Sequence, residues 1–158
     1  WSKSGTATTA TYPGQPGHES EVHDVIINGA SVAVTLNSNI TSSVRNTAIN
    51  DASLAITSNT LTLKGNLTGN GSVSFTTGRL NIAGNNSSSG TFSSSNGTVN
   101  YNGGDQNVRG GIVYYDLIIS GTGTKTLSGN TTVNRNFTIN SGIFQSSGHN
   151  FSVKYSSA

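Results

Sequence analysis

The residues best suited to chemistry crowd into one stretch, His18-Glu19-Ser20-Glu21-Val22-His23-Asp24. It holds two of the three histidines and three of the six acidic residues. As a strand it would place Glu19, Glu21 and His23 on one face, and His18 with Asp24 on the other. Imidazole and carboxylate groups so placed are ligands for Zn²⁺ or another divalent ion. The same residues also read as a polar lead-in to the apolar strand Val25-Ile26-Ile27. Charges at such an end oppose pairing with a foreign strand. Spacing alone points only weakly to a metal. The lead-in is therefore preferred, and no metal or cofactor is expected.

Acid–base hydrolysis or lyase chemistry needs carboxylates brought to one face. After Asp24 only Asp51, Asp105 and Asp116 remain, unevenly spaced, and no Glu follows Glu21. Their spacing fits no repeat of the chain. A Ser/His/Asp set can be drawn on paper only because serine is everywhere. No enzyme is expected. Tyr114-Tyr115 is the best pair for stacking on sugar rings, since adjacent strand residues face opposite sides. The plainer reading puts one in the core and the other on the surface. Lone cations such as Arg45, Arg135, Lys64 and Lys154 read as solubility charges that oppose edge pairing.

The elements that must position these groups follow from composition. The chain has 158 residues, which suits one domain. Ser, Thr, Asn and Gly supply 86 of them. These are poor helix formers, so a helical bundle is excluded. Net charge is only +2, too little to hold a chain open by repulsion. There is no Lys/Arg run to track phosphates, so nucleic acid is not an expected partner. No apolar run approaches the roughly 20 residues needed to span a membrane. Cysteine is absent, which excludes disulfides and thiolate metal sites. The chain opens at Trp1 and has no methionine, which reads as a processed product or a fragment. Few charges and abundant Ser, Thr and Asn lean toward an extracellular or cell-surface chain.

One pattern recurs: an aliphatic residue, any residue, Gly or Ser, Asn, any residue, Ser or Thr. Copies start at Leu36, Leu63, Ile82 and Leu127, with degenerate ones at Tyr101 and Val153. The intervals are 27, 19, 19, 26 and 26, a mean of about 23 residues, within the solenoid range. Residues 35–64 also resemble residues 126–154, at an offset of 90 or 91, which is four repeats of that mean. Within each repeat apolar residues alternate over short spans, such as Leu61-x-Leu63 and Leu80-x-Ile82, as in strands with one buried face. Asn70-Gly71, Asn96-Gly97 and Asn102-Gly103 would suit the hairpins of an antiparallel sandwich. A parallel β-solenoid explains the period, the short strands and the small aliphatic core together. It also gives a reason for Asn at a fixed place: stacked at about 4.8 Å, Asn39, Asn66, Asn85 and Asn130 can bond to the backbone or to one another.

The segments Gly97–Val108 and Tyr115–Val133 resemble motifs of large secreted surface proteins of Bacteroidota. Trp1, the Pro13-Gly14-Gln15-Pro16-Gly17 segment and Asp24-Val25-Ile26-Ile27 are similar to how the N-terminal portions of those proteins begin. The resemblance implies an extracellular β-solenoid stalk or adhesin exported by a dedicated system, and it supplies no catalytic residues.

The expectation is an all-β, parallel β-solenoid (β-helix) of about six rungs, roughly 23 residues each. Residues 1–24 would be an N-terminal cap or docking arm, and 25–158 the solenoid. Its role would be non-enzymatic and structural, in a surface fibre or an adhesin stalk, with a glycan-binding module as the alternative. The partner would be a second copy stacked head-to-tail, or flanking repeats of a longer chain. Trp1, Tyr12, Phe151, Val153 and Tyr155 are the expected assembly residues.

Overall fold

A computed structural model describes residues 22–154. Trp1, Tyr12, His18, Glu19, Glu21 and Tyr155 lie outside them, as does most of the expected cap. The described residues form short strands joined by turns, wound into a prism-shaped rod of about seven turns. The first turn holds β1 (His23–Asn28) and β2 (Ala33–Thr35), and the second β3 (Ile40–Asn50) and β4 (Ser53–Thr57). The third holds β5 (Thr60–Leu63), β6 (Leu67–Thr68) and β7 (Ser72–Phe75), and the fourth β8 (Arg79–Ile82) and β9 (Phe92–Ser93). The fifth holds β10 (Thr98–Tyr101) and β11 (Gln106–Val108), and the sixth β12 (Val113–Ile119) and β13 (Thr124–Leu127). The seventh holds β14 (Thr131–Ile139) and β15 (Ile143–Gln145), and β16 (Phe151–Val153) follows.

Like strands of successive turns pair in parallel. One sheet runs β1-β3-β5-β8-β10-β12-β14-β16, with β6 also beside β3; a second runs β2-β4-β7-β9, and a third β11-β13-β15. The chain is thus an all-β parallel solenoid, and the hairpin alternative is gone.

The turn is shorter than expected. Leu61, Leu80, Val99, Leu117 and Phe137 stand in register on successive turns, so one turn takes about 19 residues. About seven turns replace six because the repeated sequence pattern changes sides. Leu63, Ile82 and Tyr101 do share a column, and their spacing is the true turn. Leu36 follows β2, Leu127 ends β13 and Val153 ends β16, so the longer intervals of the pattern are one turn plus one side. The likeness of 35–64 to 126–154 has the same origin. Four full turns carry Leu61 only as far as Phe137, so the larger offset takes the similar sequence to another side of the prism.

Alternation turns every second strand residue inward. One column runs His23, Val44, Leu63, Ile82, Tyr101, Ile119, Ile139 through the whole stack. Val44 through Ile119 in that column are at most 1% exposed. Each such aliphatic contributes about 1.5–3 kcal/mol on burial. Ile139 is 49% exposed and Val153 47%, although alternation points both inward. The cause is position: among the described residues no strand covers the far side of either.

Candidate functional site

The recurrent asparagines sit at corners and act along the rod axis. Asn66 Oδ1 accepts from the backbone N–H of Asn85 at 2.7 Å, and Asn85 Oδ1 from that of Asn107 at 2.8 Å. The same line continues downward, with Asn46 Oδ1 accepting from Asn66 N–H at 2.8 Å and Asp24 Oδ1 from Asn46 N–H at 3.2 Å. Each side chain thus satisfies a backbone donor of the next turn, where the strand ladder is interrupted. Asn39 and Asn130 make the same contact, to the N–H of Thr60 at 2.7 Å and of Asn150 at 2.9 Å, but at other corners. At Gly65-Asn66 and Gly84-Asn85 glycine precedes Asn for a steric reason. A Cβ on Gly65 would lie 2.2 Å from Asn46 Oδ1, and one on Gly84 2.5 Å from Asn66 Oδ1. The acceptor occupies the space that any larger residue would need.

Every described carboxylate is engaged. Arg45 donates to Asp24 through Nε and Nη2, at 2.9 and 2.8 Å, and Asn46 Nδ2 donates to the same group at 2.9 Å. The hydrogen bonds from Arg45 hold the Asp24 carboxyl well below the usual carboxylate range. Arg135 makes the same fork on Asp116, and Asn136 N–H again donates to it, at 3.1 Å. Both forks sit where the strand register slips, between His23 and Val25 and between Tyr114 and Asp116. The arginine lies in the lengthened strand of each bulge and ties it to the turn below. Asp51 Oδ1 accepts from Asn70 Nδ2 at 2.7 Å, and Asp105 Oδ1 from Thr124 N–H at 2.7 Å. Arg45 and Arg135 are therefore clasps rather than free solubility charges. The signal was legible: an Asp about one turn before an Arg-Asn dipeptide, in both cases.

His23 and Asp24 lie on β1, and Asp24 faces Arg45. Among the described residues no three His, Cys, Asp or Glu side chains gather as a metal would require. Tyr114 is fully enclosed, so its ring offers no face to a sugar. Tyr115 is half-buried, and Arg135 lies over its ring at 4.7 Å from the centroid. Phe151 is half-buried and Val153 exposed, both on β16.

Two polar groups inside the prism were missed from sequence. Tyr101 and Tyr114 share a hydrogen bond between hydroxyls at 3.0 Å, and Tyr114 donates to Arg109 O at 2.7 Å. Asn86 Nδ2 and Arg109 N–H donate to the Tyr101 hydroxyl, and Arg109 Nη1 donates to Ser88 Oγ at 2.8 Å. Burial raises both phenol pKa values. Nearby, Lys125 is fully enclosed and its ammonium donates to the carbonyls of Gly103 and Thr122. Gln106, its register neighbour, donates to the carbonyls of Ile82 and Gly84. These side chains bond to corner carbonyls, of which those of Ile82 and Gly103 also accept from the backbone N–H groups of Asn102 and Thr122 in the next turn. Nothing in their periodicity separates them from core positions, because they are core positions with polar tips.

The two ends differ from the middle. At the C-terminal end Phe137, Phe144 and Phe151 form a triangle with centroids 4.7–5.0 Å apart, and Ile139 and Val153, which alternate inward, are exposed there. At the N-terminal end an apolar hollow is lined by Val25, Ile27, Val34, Leu36, Ile40 and Leu61.

No protein-family model matches the chain, and no curated protein or solved structure matches it either.

Proposed function

We propose that the chain is a non-enzymatic structural module, a rigid spacer in an extracellular fibre or adhesin stalk of the kind its sequence resembles. One observation carries the reading: the polar side chains that reactive sites use are spent on joining one turn to the next. Carboxylates, corner asparagines, the enclosed lysine and the paired tyrosines all bond along or across the stack. The outside offers repeating Ser, Thr and Asn rather than a cluster of converging groups. A stalk needs length and stiffness at low cost in sequence, and about seven turns at roughly 4.8 Å supply a rod of about 34 Å. The one aromatic pair considered for glycan stacking is half withdrawn into the core. The test is immunogold labelling of source cells with an antibody against the folded chain. Label along surface appendages or the cell envelope exterior is expected. Label confined to the cytoplasm would sink the reading, and strong signals on a glycan array would move it to an adhesive tip.

A further inference from the structure

The end carrying β14, β15 and β16 has the surface of a solenoid turn awaiting another. The outer edges of β15 and β16 have no partner among the described residues, and β16 covers β14 only over Thr131–Val133. The rest of β14 is an open parallel edge. Behind it lies the phenylalanine triangle, half-buried, with Ile139 and Val153 at 49 and 47% exposure. Apolar side chains so exposed are common singly but informative when grouped.

The opposite end is its counterpart. β1 and β2 each have one paired edge, and their other edges have no partner among the described residues. Val25 and Val34 are half-buried there, beside the apolar hollow. Both ends have the cross-section of a full turn. The surface between turns is also one the chain already makes with itself at every step from β1 to β16. Strand order gives the phase of the contact. One line of strands begins at β1 and ends at β14 and β16, so a copy placed one turn above continues the same sheet.

Resting on the structural-module reading, we propose that the β14–β16 end binds the β1–β2 end of a second copy of this chain. The contact is head-to-tail, because parallel pairing requires both copies to point the same way. Such a contact does not close on itself and yields a linear series.

The test is sedimentation velocity of the full 158-residue chain over a wide concentration range. A ladder of elongated species that lengthens with concentration is expected. Ile139→Lys sets a charge in the contact without disturbing a buried site, and should raise the concentration needed for assembly about tenfold or more. Its circular dichroism and melting temperature should match the parent. Val113→Lys is the control: Val113 is 47% exposed but lies on β12, away from both ends, so assembly should be unchanged. A parent chain that stays monomeric overturns the proposal, and so does a series that stops at a dimer. Assembly lost in Val113→Lys but kept in Ile139→Lys would place the contact on the side of the rod and overturn it too. A monomer with surface label on cells overturns the self-stacking but leaves the spacer reading standing, with neighbouring turns supplied by other sequence.

Discussion

Ile82 and Ile139 occupy one column, three turns apart, and have the same side chain. Ile82 is fully enclosed, whereas Ile139 is 49% exposed. Neither the residue nor its local alternation differs. Only the neighbours along the axis differ: among the described residues Ile82 has a turn on both sides and Ile139 on one. In a solenoid, burial is conferred by such neighbours, so identical residues have unequal energies according to place. The middle of this rod is therefore the stable part, and its ends are where a partner or a further turn would add the most.

The largest test of that contrast places a charge in the column. Leu63→Asp buries an unpaired carboxylate among enclosed aliphatics and should abolish the cooperative unfolding transition. Ile139→Asp, at the open end, should change stability by about 0.5 kcal/mol or less in the monomer. Equal losses in urea unfolding would show that the end is as tightly covered as the middle.

The tyrosine pair gives the next largest effect. Tyr114→Phe removes a hydroxyl that joins Tyr101 to Arg109 O, in a fully enclosed place. The loss should be about 1–3 kcal/mol, because buried partners are left unpaired. Tyr115→Phe, on a half-buried ring, should cost little. Alkali sharpens the same comparison. Both enclosed phenols have folded pKa values raised above the ordinary value of about 10. Their contribution is complete below that pH and is lost as pH rises from there through the folded values. Melting temperature should fall steeply above about pH 10, and less so in Tyr114→Phe.

Acid acts at the N-terminal end. The Asp24 carboxyl is depressed by Arg45, so its contribution is present above the ordinary value near pH 4 and is lost as pH falls below it. Asp24→Asn should remove that part of the acid dependence, seen as a flatter melting temperature between about pH 4 and pH 2. The smallest effect belongs to the corners. Asn66→Ala should cost about 1 kcal/mol, because it leaves the Asn85 N–H without its acceptor. Ser146→Ala, at an exposed position after β15, should show no measurable change in the same melting experiment.

Much of the fold was legible. Leu61-x-Leu63 and Leu80-x-Ile82 announced short strands with one buried face, and the spacing between them was the true turn. The average failed because Leu36, Leu127 and Val153 carry the same motif on other sides. A linear pattern does not say which side of a prism it occupies. The clasps at Asp24 and Asp116 were written as Asp followed a turn later by Arg-Asn, but pairing them required the turn length first. The capping roles of Gln106 and Lys125 had no periodic signal, since their alternation is that of apolar core residues.

The sequence by itself determined the backbone style. Its Gly, Ser, Thr and Asn content excludes long helices, and its period of two makes strands. Gly65-Asn66 and Gly84-Asn85 mark corners where an acceptor fills the space of a missing Cβ. The tertiary structure alone decided which residues meet. Stacking set the length of each turn, chose the partners of each carboxylate and amide, and divided one column into enclosed and open members. The physical reason is that parallel pairing joins residues a whole turn apart, and contacts at that distance depend on the length of every intervening corner.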